Sequence, residues 1–274
     1  MRKIMALYTN EMIKIGKKVS VMVLMAITLA MIFAFGALLK YQQVYNDMKI
    51  DGLNVLSNML SVGIFMLVIL VMILAGGSVS SEISTGSIKS LIISPVKRWK
   101  IFTAKFLSLL SVGVIAALII YAFSLLASGL LFGFDFGGTY TFTKNGTEHE
   151  MNYYLFKFAA LFTDFITVIV FTLFAFMLSI LTRNTAASVA ISLAVYFVGG
   201  QANTLLMMFT SGEWRRFIPF NNMEITSKIF SDTAQNTLPG QVNNSLTFSL
   251  VYLAVLLICM GYTALDSFNR RDIK

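Results

Sequence analysis

The sequence predicts an all-α integral membrane protein. We expect one domain, 1–274, that forms a six-helix bundle with an interfacial elbow helix at its N-terminus and both termini in the cytoplasm. Of its 274 residues, 57% are hydrophobic and only 12% are charged, whereas a soluble domain carries about 25% charged residues. A bilayer crossing takes about 20 predominantly apolar residues. Six stretches meet that requirement, at about 19–39, 59–79, 106–132, 155–181, 186–210 and 245–265.

The distribution of Lys and Arg in the flanks predicts the orientation of these spans. One side of the predicted membrane collects 14 of the 21 basic residues with four acidic ones, and the opposite side has seven basic and eight acidic residues. Short cytoplasmic loops carry the excess of Lys and Arg, so the basic side is predicted to be cytoplasmic. We therefore assign the net charge of +8 to topology and not to nucleic-acid binding.

Segment 1–18 is predicted to be the elbow helix. At 100° per residue its apolar side chains fall within an arc of roughly 100°, with Lys3, Asn10, Lys14 and Lys17 on the other side. A basic amphipathic helix of this kind lies in the headgroup plane. The alternative is a simple cytoplasmic extension of the first span. The apolar arc consists of Met1, Ile4, Met5, Tyr8, Met12 and Ile15.

Segment 82–98, between the second and third spans, is predicted to contain a short cytoplasmic helix. The hydroxyl of Thr85 or Ser87 suits the N-cap position, because it accepts a hydrogen bond from an otherwise unpaired backbone N–H. Pro95 ends the helix, since it disfavours the α conformation of the residue before it. The apolar stripe between these ends consists of Ile88, Leu91 and Ile92.

This segment resembles the signature of the type-2 ABC exporter permeases, the membrane-spanning subunits of ABC transporters. The family usually has Thr where this chain has Ser87, and either residue supplies the capping hydroxyl. The resemblance covers the whole chain, since the family also has six spans, cytoplasmic termini and an elbow helix. The matching residues are Glu82, Gly86, Ser87, Leu91, Pro95, Arg98 and Lys105.

The resemblance implies that 82–98 is a coupling helix that docks onto a separate ABC ATPase subunit. Leu91 and Ile92 would supply the apolar contacts, Gly86 the tight turn, and Glu82 and Arg98 would contact the ATPase or brace the loop. Two ATPase copies are expected, with ATP and Mg bound there, and a second permease subunit as a homodimer or heterodimer. The alternative is a loop whose charges only follow the orientation rule, which leaves Glu82, Gly86 and Pro95 unexplained.

The sequence itself contains no G-x-x-x-x-G-K-[ST] motif, so no ATP hydrolysis is expected in this chain. With a single Cys and a single His, it excludes an internal disulfide and a His-rich metal centre. We predict that the chain is not an enzyme by itself and has no cofactor or metal of its own.

The fourth and fifth spans contain the candidate translocation residues. Asp164 is an acid inside the fourth span, where acids usually face a bundle interior or water, unless the helix enters the membrane only near Ala160. The fifth span repeats small residues at Ala186, Ala190 and Ala194, which permits close helix packing. The resemblance places the second and fifth spans along the path, which makes Ala190, Ala194, Asn203 and the apolar residues of 59–79 its candidate wall.

The long external segment 211–244 contains an aromatic and basic cluster suited to the membrane interface. The resemblance implies short re-entrant helices that close the exit here, and an interfacial anchor without a gating role is the alternative. The candidate gate residues are Trp214, Arg215, Phe217 and Pro219.

Together with these observations, the resemblance implies an exporter permease in the cell membrane, in a bacterial plasma membrane. Its partners are the ATPase, the second permease subunit and membrane lipid. The apolar wall favours a hydrophobic or amphipathic substrate, for which an antimicrobial or toxin peptide is the leading class, with sodium and lipid export open. The alternatives are a stand-alone secondary transporter or channel, which would need more intramembrane polar groups, and a peptide-sensing membrane scaffold.

Overall fold

A computed structural model describes residues 2–46, 51–84, 97–134, 138–144, 147–230 and 244–270, without the side chains of Arg2 and Lys3. Within these residues, six helices are long and apolar enough to cross a membrane, and the predicted all-α membrane bundle is confirmed. The helices before the external segment are α1 (Arg2–Gly16), α2 (Val19–Tyr45), α3 (Gly52–Ser78), α4 (Ser80–Ser84), α5 (Arg98–Phe132), α6 (Tyr153–Thr182) and α7 (Thr185–Phe209). A 3-10 helix (Glu213–Phe217), α8 (Phe220–Met223), α9 (Ile225–Phe230) and α10 (Leu246–Arg270) follow.

Side-chain caps place several helix ends outside the apolar stretches that predicted them. The carboxylate of Asp51 accepts a hydrogen bond from the Leu53 N–H, so α3 begins at Gly52 and not near 59. Asn152 caps α6 in the same way, and Asn184 caps α7. Between α6 and α7, Arg183 adopts a left-handed conformation (φ 54°). An apolar stretch therefore indicates which part of a helix can lie in lipid. The ends of the helix are fixed by capping residues in its polar flanks.

Helix α3 forms the centre of the bundle and packs against α2, α5, α6 and α7. Most residues in the most apolar part of α3 are buried, whereas almost none in the most apolar part of α7 are. Glycine permits the closest approach of these two helices, because a Cβ on Gly76 would lie 2.7 Å from Cγ2 of Val189. The Ser188 hydroxyl also donates a 2.7 Å hydrogen bond to the Gly76 carbonyl. Helix α7 is therefore a peripheral helix, and the N-terminal end of α7 is attached to the C-terminal part of α3.

A β-hairpin and a group of short helices lie at the end of the bundle opposite α1. Strands β1 (Thr139–Lys144) and β2 (Thr147–Asn152) form an antiparallel hairpin that the sequence prediction did not include. Tyr140 of the hairpin stacks on Phe156 of α6, with ring centroids 3.7 Å apart. The 3-10 helix, α8 and α9 occupy the described part of the external segment, where short helices were predicted.

Candidate functional site

A cluster of four charged side chains joins α1, α4 and α5 at one end of the bundle; we call it the α1 cluster. Lys105 donates hydrogen bonds to Glu11 (2.8 Å) and to Glu82 (2.7 Å), and Lys14 contacts the same Glu82 oxygen. The side chains of Lys105 and Glu82 are only 3% and 4% exposed. Buried charges require paired and hydrogen-bonded partners, so this cluster fixes the elbow helix to the start of segment 82–98.

A cavity of about 220 Å³ opens beside the α1 cluster and is also lined by Lys18. Burial lowers the pKa of the Lys18 ammonium and the charges of Lys14 and Lys105 lower it further, while the carboxylates of Glu82 and Glu11 offset part of that shift. Across the described part of the chain, this ammonium forms no hydrogen bond or ion pair, unlike Lys14 and Lys105. The cavity therefore has a surplus of positive charge, with three lysines facing two glutamates.

The far end of segment 82–98 is attached to the C-terminal end of α10. The Arg98 guanidinium donates to the carbonyls of Phe268 (3.4 Å) and Asn269 (2.8 Å). The last carbonyls of a helix lack intrahelical partners and carry a partial negative charge. Arg98 therefore caps α10 and ties the beginning of α5 to it.

The structure divides the predicted coupling residues into two groups. Glu82, Arg98 and Lys105 are described, and Glu82 pairs directly with Lys105 while Arg98 contacts α10. Because Glu82 is buried, the structure favours its bracing role over a contact with another protein. The sequence did not indicate that Glu11 and Lys14 complete this cluster. The remaining coupling residues lie outside the described residues: Gly86, Ser87, Ile88, Leu91, Ile92 and Pro95.

The structure exposes only part of the predicted wall, because Asn203 is half-buried and most of the apolar residues of 59–79 are buried. Ala186, Ala190 and Ala194 are all exposed on one face of α7. Phe65 of α3 packs beside this helix, with its ring centroid 5.6 Å from that of Phe197. The small-residue face of α7 is thus accessible to another chain or to a translocation path.

The sequence reasoning missed a polar stripe on α3, composed of Asn54, Asn58 and Ser61. All three are exposed, and they precede Phe65 on the same helix face at spacings of i, i+4, i+7 and i+11. At 1.5 Å per residue, Ser61 lies about 14 Å from the beginning of α3. The spacing was visible in the sequence, but the hydropathy criterion started the span at 59 and excluded two of the three residues.

The predicted gate residues link the ends of α7 and α10 through the 3-10 helix. Arg215 donates to the Met207 carbonyl at the end of α7 (3.4 Å). Phe217 packs edge-on against Phe248 of α10, with ring centroids 5.8 Å apart. Trp214 is exposed, and Pro219 immediately precedes α8. The structure thus brings the predicted gate residues together at one end of the bundle.

A second polar cluster, the outer amide cluster, consists of Asn203, Asn221, Asn222, Asn244 and Ser249. Asn203 donates to Asn221 (2.8 Å), which joins α7 to α8. Fully buried Asn222 accepts hydrogen bonds from Asn244 (2.8 Å) and Ser249 (2.9 Å), which joins α8 to the start of α10. The candidate path residue Asn203 is therefore part of the network that holds the external segment.

Helix α9 adds two further contacts between the external segment and the bundle. Thr226 donates to the carboxylate of Asp164 (2.9 Å), so this candidate residue lies against α9. Lys228 donates to the Asn221 carbonyl (3.0 Å) and to Ser249 (2.6 Å). Burial lowers the pKa of Lys228, partly offset by the carboxylate of Glu224.

Comparison with known proteins gives a family match and two uncharacterised relatives. Residues 19–274 match the family described as "Protein of unknown function (DUF2705)". The chain is similar to "Uncharacterized protein YhcI" of Bacillus subtilis (strain 168), at 29% identity over 73% of this chain and 63% of that protein. It is also similar to "Uncharacterized membrane protein YdbK" of the same strain, at 28% identity over 75% of this chain and 77% of that protein. The matched region thus covers less than two thirds of the length of YhcI. The chain is a multi-pass membrane protein that belongs to the DUF2705 family.

Proposed function

We propose that this chain is the permease subunit of an ATP-driven ABC exporter in the bacterial plasma membrane, with both termini in the cytoplasm. The observation that carries the proposal is the attachment of segment 82–98 at both ends. Glu82 is fixed to α5 through a buried ion pair with Lys105 and to α1 through the more exposed Lys14, and Arg98 is fixed to the end of α10. A loop that receives force from another protein needs attachments of this kind, because a loosely held loop would absorb the displacement.

The contacts of α3 provide a route from this segment to α7. Displacement of Glu82 would move α3, and α3 contacts α7 at Gly76 through the Ser188 hydroxyl and again at Phe65 through Tyr196 and Phe197. ATP and Mg would be held by two copies of a separate ATPase. This chain would supply the docking segment and the transmission, without nucleotide chemistry of its own.

The exposed faces of α3 and α7 support a path shared with a second permease subunit. Exposed polar groups on membrane-spanning helices are costly in hydrocarbon and usually face a bundle interior or water. The polar stripe of α3 and the exposed Gln201 and Thr204 of α7 would therefore face water or the partner subunit, as a homodimer or heterodimer. A wall that combines these groups with Ala190, Ala194 and aromatic rings suits an amphipathic or hydrophobic substrate, for which we propose a peptide.

The first experiment is co-purification of the full chain from native membranes, with mass spectrometric identification of any P-loop ATPase. Leu91→Asp should remove the ATPase from the complex, because it places a charge at the proposed apolar contact, and Leu91→Met should retain it. Glu82→Gln serves as the control for bracing. It should lower the thermal stability of the permease and retain most of the co-purified ATPase.

Transport itself requires the permease and the identified ATPase together in sealed vesicles loaded with labelled peptide. We expect ATP-dependent movement that an ATPase with a disabled P-loop does not support. The proposal fails if no P-loop ATPase co-purifies or if Leu91→Asp leaves the complex intact. Transport by this chain alone would instead favour a stand-alone transporter.

A further inference from the structure

A deep apolar groove lies between α1, α2 and α5, on the same side of the bundle as the α1 cluster. Its volume is about 470 Å³, and its lining is almost entirely aliphatic or methionine side chains. Met22 and Ala26 line it from α2, Ile115 and Ile119 line it from α5, and all four are exposed. The volume suits one extended hydrocarbon chain better than a helix, which is about 10 Å across.

The groove lies next to the charged cavity beside the α1 cluster. Ile15 lines both, and the neighbouring lining residues Leu70 and Leu74 lie one turn apart on α3. The groove is therefore apolar along its length and cationic at one end. This distribution of charge matches the chemistry of an amphipathic anion.

Lys18 provides the unpaired cation at that end. Within the described residues its ammonium has no hydrogen-bond acceptor, whereas Lys14 and Lys105 are engaged with Glu82. Half-burial with no acceptor among the described residues makes this charge costly to the folded chain. The carboxylates of Glu82 and Glu11 compensate part of that cost, and the pKa of Lys18 is still lowered. An anionic oxygen supplied from outside the chain would remove the cost.

We infer that this groove binds an anionic phospholipid of the leaflet on the α1 side, with one acyl chain in the groove and the headgroup phosphate on Lys18. The inference requires that the helices span a membrane and is independent of the transport proposal. Lysines near a membrane surface attract anionic lipid with about 1 kcal/mol each, which is about five-fold in affinity.

The test is native mass spectrometry of the full chain in mild detergent titrated with phosphatidylglycerol or phosphatidylcholine. We expect the wild-type chain to retain phosphatidylglycerol more tightly. Lys18→Gln should weaken that retention about five-fold and weaken retention of phosphatidylcholine less, because choline neutralises the charge of that lipid's phosphate. The matched control is Lys17→Gln, since Lys17 is exposed and lines neither the groove nor the cavity.

A bulky side chain placed in the groove tests separately whether the groove holds the acyl chain. Ala26→Phe should lower retention of both lipids, whereas Ala30→Phe, one turn along the exposed surface of α2 and outside the groove, should not. If Ala26→Phe fails to yield a monodisperse protein, Ile119→Trp fills the groove from the opposite side.

Three results would overturn the inference. Equal losses in Lys17→Gln and Lys18→Gln would indicate general surface electrostatics. Unchanged lipid retention in a folded groove-filled variant would exclude the groove as the acyl site. Displacement of the lipid by soluble glycerol phosphate would indicate an anion site that needs no acyl chain.

Discussion

The two ends of the bundle are both held by buried polar groups, but the chemistry of those groups differs. The α1 cluster uses full charges, with Lys105 between Glu11 and Glu82. The outer amide cluster uses amides and a hydroxyl, with Asn222 accepting from Asn244 and Ser249. Both clusters join helices that are distant in sequence. They differ in what the loss of one member leaves: a buried charge at the α1 end, and a buried neutral group at the other end, where the ammonium of Lys228 is only half-buried.

This difference implies that the two ends have different mechanical roles. Removal of one partner from a buried ion pair costs about 3–5 kcal/mol, whereas an unsatisfied neutral group costs about 1–3 kcal/mol. The α1 end should therefore move as a unit, while the outer end should exchange its hydrogen bonds more readily. Under the proposed function, the stiff end would receive force and the softer end would open.

The largest expected effect follows Lys105→Met. It leaves Glu82 buried with Lys14 as its remaining described basic partner in the cluster, and we expect a loss of about 3 kcal/mol. Unfolding of the detergent-solubilised protein, followed by far-ultraviolet circular dichroism, measures the change. The control Lys14→Met removes the more exposed partner of Glu82 and should cost about 1 kcal/mol or less.

The double variant Glu82→Leu/Lys105→Met tests whether the loss comes from an uncompensated charge. Replacement of both partners by apolar groups is often neutral, so we expect recovery of the stability lost through Glu82, while the loss of the Lys105–Glu11 pair remains. A double variant as unstable as Lys105→Met would contradict the electrostatic explanation and would indicate lost packing instead.

The second effect follows Asn222→Ala, at the outer end. Asn244 and Ser249 lose an acceptor, and we expect a loss of about 2 kcal/mol. Hydrogen exchange should increase in residues 213–230 and remain unchanged in 98–109, because the charged cluster stays intact. Ser227→Ala, which removes an exposed hydroxyl, is the control. Equal increases at both ends would show that the two clusters are one cooperative unit.

The third effect follows Arg98→Gln, which removes the cation at the end of α10. We expect a loss of about 1 kcal/mol and faster hydrogen exchange in the last turn of that helix. Arg270→Gln removes an exposed charge whose Asp266 partner is one turn away, and it should cost about 0.5 kcal/mol or less. Similar effects of the two variants would mean that Arg98 does not cap α10.

The sequence predicts those parts of this structure that depend on local chemistry. Six apolar stretches predict six long helices, because lipid requires a minimum length. The alternating segment at 139–144 could also have predicted the hairpin strand, since a period of two is typical of strands. Helix ends were less accurate, because a single capping residue such as Asp51 decides where α3 begins.

The clusters could not be predicted, because they depend on how distant helices pack. Lys105 and Glu11 are 94 positions apart, and only the packing of α1 against α5 brings them together. The orientation rule counts Lys105 as a flanking charge in the same way as Lys100, although one is buried and the other is not. The resemblance did include Glu82 and Lys105 among its seven matching residues, but it did not indicate that they contact each other.

The smallest expected effect compares two lysines, one at each end. In lipid-free detergent at pH 7, Lys18→Gln should stabilise the protein by about 0.5 kcal/mol, because Lys18 is half-buried with no described acceptor. Lys228→Gln should destabilise it by about 1 kcal/mol, because Asn221 and Ser249 lose a donor. Denaturant unfolding of the two variants and the wild-type chain measures both changes in the free energy of unfolding. Changes of the same sign would contradict the conclusion that Lys228 has described acceptors and Lys18 has none.

The pH dependence of these two variants tests whether burial penalises the charged form of each lysine. Both lysines have a folded-state pKa below the ordinary 10.5, so the folded chain releases each proton before the unfolded chain does. The wild-type chain therefore gains stability, relative to either variant, as the pH rises from each folded pKa to 10.5. The advantage of Lys18→Gln should shrink over this range and the deficit of Lys228→Gln should grow. A stability difference independent of pH would mean that burial does not penalise the charged form of either lysine.

Addition of phosphatidylglycerol at pH 7 should also reduce the advantage of Lys18→Gln, because the phosphate would supply the missing acceptor, while the deficit of Lys228→Gln should not change.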